Sequence, residues 1–408
     1  MMSIIQTFKE RGFFQQTSHE DALEKRLQEG PICCYTGFDP TANSFHVGHL
    51  IPMMGLAHMQ RAGHQVIALI GAGTAMIGDP SGKTEMRKIL TKEQIEANIE
   101  GLQSQLARFL DFEKNAMLAN NADWLCELNY IDFLRDIGRH FSVNRMLSFE
   151  TYKARMETGL SFLEFNYQPL QAYDFLELYR RYGCLLQLGG DDQWANILSG
   201  SDLIRRVERT EAYALTHPLL TTSSGKKMGK TEKGAVWLDA EKTSPYEYYQ
   251  YWVNIEDADV KKCLAIFTFL PMNEVEMLGD LQGADIREAK KRLAFETTKL
   301  LHGEQEALKA QEGASALFGG DSSRSENVPT SSISAAALAE GIEVFAVFQQ
   351  TGLCKSKGEA RRLLDQGGVY VNEVRILDDQ FKLSPDDLDQ GSVLLRAGKK
   401  RYHRLQVE

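Results

Sequence analysis

Two histidines three residues apart, His46 and His49, sit in the stretch Tyr35-Thr-Gly-Phe-Asp-Pro-Thr-Ala-Asn-Ser-Phe-His-Val-Gly-His-Leu50. Imidazoles at that spacing share one face of a helix. Beside the free N–H groups of a helix N-terminus they could donate hydrogen bonds to phosphate oxygens, which makes the stretch a nucleotide-site candidate. A metal pair, or two histidines that only cap and pack, would use the same spacing. Gly48 removes a side chain where a ligand could lie against the backbone. A second group suited to phosphate is the loop Thr221-Thr-Ser-Ser-Gly-Lys-Lys-Met-Gly-Lys-Thr231, whose plain alternative is a solvated turn. It is not a phosphate-wrapping P-loop. Gly225 and Gly229, like Gly78 and Gly82, have one residue too few between them, and Gly71-x-Gly73 lacks the third glycine of a dinucleotide fingerprint. A third group, Tyr167, Gln171 and Asp174, recurs at i, i+4, i+7 and so shares a helical face. That polar stripe lies among Phe165, Leu170, Phe175 and Leu178, and is costly to bury unless its groups are paired.

The elements needed to position these residues can be read from the same pattern. Pro31 to Tyr35, Gln65 to Gly71, Cys184 to Gly190 and Ala212 to Thr216 are short apolar runs of strand length, with a weaker one at Ala116 to Ala119. Helical periodicity fills residues 3–29, 50–59, 91–113 and much of the chain up to 182. Strands alternating with helices predict a doubly wound parallel sheet, whose ligands bind beyond the carboxyl ends of the strands. The polar residues gather there, after Tyr35, Gly71 and Gln187. Asp39-Pro40 and Asn43-Ser44 are turn formers, with Asn43 or Ser44 placed to cap the next helix. From about 245 to 310 the pattern is all helical, opening with Ser244 and a first-turn Pro245. A polar stretch from Gly319 to Ser332 reads as a linker, and the remainder as a small unit with its own apolar pattern.

The chain has 408 residues, 43% of them hydrophobic, and a net charge of −10, which argues against general coating of nucleic acid. Residues 343–408 differ, with 11 Lys and Arg against 10 Asp and Glu, and the basic residues are clustered. Six cysteines show no paired Cys-x-x-Cys spacing and suit reduced core positions. No apolar run reaches membrane-span length and the N-terminus lacks an apolar leader, so a cytoplasmic protein with no membrane partner is expected.

The stretch Tyr35 to Leu50 resembles the HIGH signature of class I aminoacyl-tRNA synthetases, in the form carried by bacterial-type tyrosyl-tRNA synthetases. Lys227-Met-Gly-Lys-Thr231 resembles their KMSKS loop, with Gly229 and Thr231 replacing the two serines. Tyr167-Gln-Pro-Leu-Gln-Ala-Tyr-Asp-Phe175 is similar to their tyrosine-binding helix. Gln187-Leu-Gly-Gly-Asp-Asp-Gln-Trp-Ala-Asn196 resembles their Gly-Gly-Ser-Asp-Gln segment, with Asp191 in place of the serine. Lys355 to Asn372 and Arg396-Ala-Gly-Lys-Lys-Arg-Tyr402 resemble an S4 RNA-binding domain.

The resemblance implies an α/β fold with a doubly wound, Rossmann-like catalytic domain at 1–235. It further implies an all-helical tRNA anticodon-binding domain at 236–318, a flexible linker at 319–340, and a small α+β S4-like domain at 341–408. It assigns the amino acid tyrosine to Tyr35, Asp79, Tyr167, Gln171, Asp174 and Gln193. ATP falls to Gly37, Asp39, His46, Gly48, His49, Gly190, Asp192 and Lys230, with Lys83 and Arg87 as further triphosphate candidates. Catalysis falls to Thr41, His46, His49, Lys227 and Lys230, and RNA contacts to Lys355, Lys357, Arg361 and Arg362. The implied reaction joins L-tyrosine to tRNA(Tyr) through tyrosyl-adenylate. Magnesium would arrive with ATP, without a protein cage or a tightly bound cofactor, and a homodimer would form through residues 110–160. A site that hydrogen-bonds a buried hydroxyl rejects the analogue lacking it, a rule for which tyrosyl enzymes are themselves the standing example. A tryptophanyl enzyme and a catalytically dead RNA-binding relative are the alternatives.

Overall fold

The apolar runs become the strands of one sheet. The computed structural model describes residues 3–81, 90–225, 228–231, 234–318, 328–389, 391–398 and 401–407. It forms two units, Met1–Thr243 with Tyr251–Leu301, and Ser244–Gln250 with His302–Glu408. The first unit contains β1 (Gln16–Thr17), β2 (Cys33–Phe38), β3 (Gln65–Ile70), β4 (Ala116–Asn120), β5 (Cys184–Gly190) and β6 (Tyr213–His217). Their order is β1-β6-β5-β2-β3-β4. All neighbours are parallel except β1, a short antiparallel edge on β6. Val66 to Ile70 of β3 are each no more than 2% exposed. A strand covered on both faces reads as a continuous apolar run, which is why it was visible in the sequence. The chain runs outward from β2 to β4 and then crosses back to start β5 on the other side. This reversal opens a crevice beyond the carboxyl ends of β2 and β5, where Tyr35 and Gln187 are direct neighbours in register.

Several expected boundaries shift for local reasons. The helix expected over 3–29 divides into α1 (Ile4–Arg11) and α2 (Glu20–Gln28), because Gly12 turns to φ +82° and ends the first, leaving room for β1. The helix expected over 91–113 spans Lys92–Leu106, started by a reciprocal Thr91–Gln94 cap. The helix α3 (Leu50–Arg61) extends slightly past its expected end. Between β4 and β5 short helices lead into Tyr167–Tyr182, which stops where Gly183 turns to φ +64°. A small hairpin, β7 (Lys230–Thr231) and β8 (Gly234–Ala235), follows the sheet. The stretch from Pro245 to Phe318 is helical with short turns, as its pattern predicts, and is shared between the two units.

The second unit holds β9 (Thr330–Ile333), β10 (Ile342–Glu343), β11 (Val369–Val371), β12 (Val374–Arg375), β13 (Lys382–Leu383), β14 (Ser392–Ala397) and β15 (Arg401–Val407). Five of them form a sheet in the order β12-β11-β14-β15-β9. Its core includes Val344, Phe345, Phe348, Val369, Val393 and Leu395. Here the sequence reading of a linker to Ser332 needs correction. Thr330–Ile333 pairs in parallel with β15, from Arg404↔Thr330 to Val407↔Ile333, so this polar segment is a sheet edge. Residues 319–327 of the expected linker lie outside the described residues. No helix among the described residues is long and apolar enough to cross a membrane.

Candidate functional site

The crevice holds a cavity of about 300 Å³. Tyr35, Gly37, Asp39, Thr41, Gly48, His49, Asp79, Tyr167, Gln171, Asp174, Gly190, Asp192 and Gln193 all line it. At one end lies Asp174, 2% exposed, on the helix Tyr167–Tyr182. Its two oxygens accept hydrogen bonds from Trp124 Nε1 at 2.8 Å and Asn121 Nδ2 at 3.0 Å. Burial pushes this carboxyl up to about 8, against the pull of those two donors, which favour the ionised form. Tyr35 is 1% exposed. Burial and the nearby Asp174 hold its hydroxyl well above the usual range. That hydroxyl finds no hydrogen-bond partner among the described residues, and neither do Thr36 Oγ1 and Gln187 Oε1 of the same wall. Buried polar atoms are nearly always paired, so the Tyr35 hydroxyl and its register neighbour Gln187, both on residues that line the cavity, suit a polar occupant.

Next to this floor the polar stripe proves to be fully engaged. Tyr167 Oη donates to Asp39 Oδ2 at 3.0 Å, and Thr74 Oγ1 donates to Asp39 Oδ1 at 2.8 Å. Gly71 is required beneath, since a Cβ there would lie 2.0 Å from Asp39 Oδ1. Gln193 Nε2 donates to Asp79 Oδ2 at 2.7 Å, while Asp79 Oδ1 accepts from Ser81 N at 2.8 Å. Asn196 Nδ2 donates to both Gln171 Oε1 and Gln193 Oε1 at 3.1 Å. Asp39, Asp79, Asp174 and Asp192 thus give the cavity four carboxylates, suited to an ammonium group and to hydroxyl donors.

The histidines differ from expectation in an instructive way. The expected caps do other work: Ser44 Oγ donates to Phe45 O and Asn43 Oδ1 accepts from Lys242. The turn Val47–His49 is capped by the histidines themselves, with His46 Nδ1 accepting from Gly48 N at 3.0 Å and His49 Nδ1 accepting from His46 N at 3.2 Å. Their rings lie 4.1 Å apart, and of the two only His49 lines the cavity. The space freed at Gly48 is taken by the His46 ring, whose Cε1 would sit 2.7 Å from a Cβ.

The lysine loop is fastened to this turn. Val47 N donates to Val236 O and Val236 N to Gly229 O, both at 2.9 Å. Gly229 has φ +79°, and a Cβ on it would lie 3.0 Å from Gly48 N, so a serine at this position would be strained. Ser223 Oγ and Ser224 Oγ donate to the two oxygens of Glu256, each at 2.9 Å. Lys83, Arg87 and Lys227 lie outside the described residues, and of Lys230 only the backbone, in β7, is described.

Asn121, Trp124, Thr74 and Asn196 were missed by sequence reasoning. Asn121 directly follows β4, and a polar residue just past the carboxyl end of a parallel strand was the available signal. The four basic residues expected to contact RNA belong to the second unit. Lys357 and Arg361 lie on the helix Lys357–Asp365, Lys357 pairing with Glu343 at 3.0 Å and Arg361 stacking on Phe345 at 5.3 Å. Arg362 shares that helix and Lys355 precedes it.

Comparison with known proteins agrees with this geometry. A model of the class I tRNA synthetases (W and Y) matches residues 27–319, and one of the tyrosine–tRNA ligase SYY-like C-terminal domain matches residues 322–405. The chain is 56% identical to the tyrosine–tRNA ligase of Acetivibrio thermocellus and 57% identical to that of Caldanaerobacter subterraneus, each over 408 residues and all of both chains. Among solved structures, a C-terminally truncated mitochondrial tyrosyl-tRNA synthetase of Aspergillus nidulans superposes with a TM-score of 0.71 at 32% identity, covering 78% of this chain and 95% of that one. An α/β crevice lined by carboxylates, joined to a matching C-terminal sheet unit and to full-length identity above half, means that the chain belongs to the tyrosyl-tRNA synthetase family of class I tRNA synthetases.

Proposed function

We propose that this chain is a tyrosine–tRNA ligase that activates L-tyrosine with ATP, releases pyrophosphate, and passes the tyrosyl group to the 3′ end of tRNA(Tyr). The observation that carries the reading is the pairing of a buried Asp174 carboxyl with the unpartnered Tyr35 hydroxyl at the cavity floor. A phenol hydroxyl satisfies both groups at once, donating to one and accepting from the other, whereas an indole would leave one unmet. Asp79, Tyr167 and Gln171 take the substrate ammonium group in this reading, and Gln193 its carboxylate. The carboxylate then attacks the α-phosphate of ATP, which enters as its magnesium complex and lies toward Gly37, Asp39, Gly48, His49, Gly190 and Asp192. No side chain forms a covalent bond. Rate enhancement comes from holding the reactants together and from placing the imidazoles of His46 and His49, the Thr41 hydroxyl and the Lys227 and Lys230 ammonium groups where phosphate charge builds.

Residues 1–235 take the catalytic role, 236–318 the anticodon arm, and 341–408 further RNA contacts through Lys355, Lys357, Arg361 and Arg362. We assign the chain to the cytoplasm as a homodimer. Large apolar side chains exposed at Tyr130, Ile131, Val143, Met156 and Phe162 support a self-association surface in the expected region. The test is amino-acid-dependent ATP–pyrophosphate exchange. Tyrosine should drive it, tryptophan and phenylalanine should not, and Asp174→Ala should abolish it. Exchange driven by tryptophan, or activity of Asp174→Ala equal to wild type, would sink the assignment.

A further inference from the structure

Two adjacent carboxylates, Asp191 and Asp192, follow Gly190 at the end of β5, and they turn opposite ways. Asp192 lines the cavity. Asp191 does not, nor does it cap the helix Trp194–Val207, which has no side-chain cap. Its Oδ1 accepts from Gln16 Nε2 at 2.7 Å and from Thr216 Oγ1 at 2.9 Å. Thr216 is fully buried and pairs with Gly189 of β5 on one side and Gln16 of β1 on the other. One oxygen therefore ties the turn after β5 to the two strands beside it. Gly189 and Gly190, the last residues of β5, pair with Thr216 and His217 of β6 just before the turn. Both places are tight: a Cβ on Gly189 would lie 2.9 Å from Ile197 Cδ1, and one on Gly190 would lie 2.6 Å from Asp192 Oδ1.

We infer that Asp191 is a positioning residue for the nucleotide, fixing the Gly190–Asp192 turn so that the Asp192 carboxylate meets the ATP ribose at a set height. This rests on the proposed placement of ATP toward Gly190 and Asp192, with the Asp192 carboxylate accepting from the ribose hydroxyls. Two charge-assisted hydrogen bonds to a single acceptor hold the turn against the edge of the sheet, and a carboxylate must be placed to within a fraction of an ångström to distinguish a sugar hydroxyl. The tyrosine end is held by other groups: Asn121 and Trp124 anchor Asp174, and Gln193, although it closes the same turn, keeps its own bonds to Asp79 and Asn196.

The experiment is pyrophosphate exchange with ATP and with 2′-deoxy-ATP and 3′-deoxy-ATP, for wild type, Asp191→Ala, Asp191→Asn, Gln16→Ala and Asp192→Ala. Asp191→Ala should raise KM for ATP by about tenfold, the scale of one lost hydrogen bond to a charged acceptor. KM for tyrosine should stay within about twofold on the same scale. The preference for ATP over the deoxy analogues should shrink. Asp191→Asn keeps an oxygen facing Gln16 and Thr216 and should recover most of the loss. Gln16→Ala, which leaves the turn's own residues intact, should show a weaker form of the same pattern. The inference is overturned if KM for ATP and tyrosine rise together, if the analogue preference is unchanged in Asp191→Ala, or if Asp191→Asn does not recover. Should Asp192→Ala itself keep the full preference, the ribose reading fails and the inference fails with it. Loss of preference in Asp192→Ala but not in Asp191→Ala overturns the inference alone.

Discussion

Replacing Trp124 with phenylalanine removes one N–H from Asp174 while leaving an aromatic ring beneath Arg181, whose guanidinium lies 5.1 Å from the ring centre. The lost hydrogen bond is 2.8 Å long and ends on a buried carboxyl. A hydrogen bond to a charged group is worth about 1.5–3 kcal/mol, and about 1.4 kcal/mol is a factor of ten. Since the bond favours the ionised carboxylate, its loss lifts the Asp174 carboxyl further above about 8 and weakens it as the acceptor of the tyrosine phenol. KM for tyrosine in pyrophosphate exchange should therefore rise by roughly ten- to a hundredfold, with KM for ATP nearly unchanged. The pH profile adds a second reading. In wild type kcat/KM for tyrosine should climb with pH as Asp174 ionises, with a midpoint near 8, and in Trp124→Phe that rise should move to higher pH. A tyrosine KM within twofold of wild type, or an equal rise for ATP, would refute the idea that Trp124 acts through Asp174.

Three further outcomes are expected. His58 and His217 are buried, and burial first, with Arg11, Arg61 and each other's charge behind it at His58, lowers them from 6.5 to about 3 and about 4. Both should be neutral when folded and take up a proton when unfolded, so their contribution is intact above pH 6.5 and lost as pH falls toward 4. Thermal unfolding should steepen in that window by up to about 1.4 kcal/mol per pH unit for each histidine, and an unchanged slope in His217→Gln would contradict this. Gly48→Ala would bring a Cβ within 2.7 Å of the His46 ring, so exchange should fall about tenfold or more as the imidazole is displaced; a wild-type kcat would show that the ring position is immaterial. Arg155 and Glu164 form an ion pair at 2.8 Å with side chains only 3% and 2% exposed. Arg155→Met leaves the Glu164 carboxylate buried without its cation, held only by Ser161, and should cost up to about 3–5 kcal/mol in urea unfolding; a midpoint equal to wild type would discount the pair.

Much of the first unit was legible because its strands are continuous apolar runs ending in glycine or polar residues, and a sheet covered on both faces demands that pattern. The stripe Tyr167, Gln171 and Asp174 was not legible from spacing, since a polar face of that kind is more often exposed; the resemblance of residues 167–175 to the tyrosine-binding helix singled it out. What escaped notice depended on pairing across long stretches of chain. Trp124 and Asp174 are 50 residues apart, and nothing near Trp124 marks it as a donor to a carboxyl. Thr330–Ile333 has the composition of a linker and becomes a strand only because β15 offers an edge to it. The cap of the histidine turn was misplaced because both candidates are engaged elsewhere: Ser44 Oγ accepts from Asp239 N, a group 195 residues away, and Asn43 Oδ1 from Lys242.

The gap between β2 and β5 is set by the path of the chain, which leaves these two neighbouring strands in opposite directions. Its existence therefore owes nothing to the side chains along its walls. Lining residues can be exchanged to suit a different occupant while the supporting scaffold stays intact, and the two ends can drift separately.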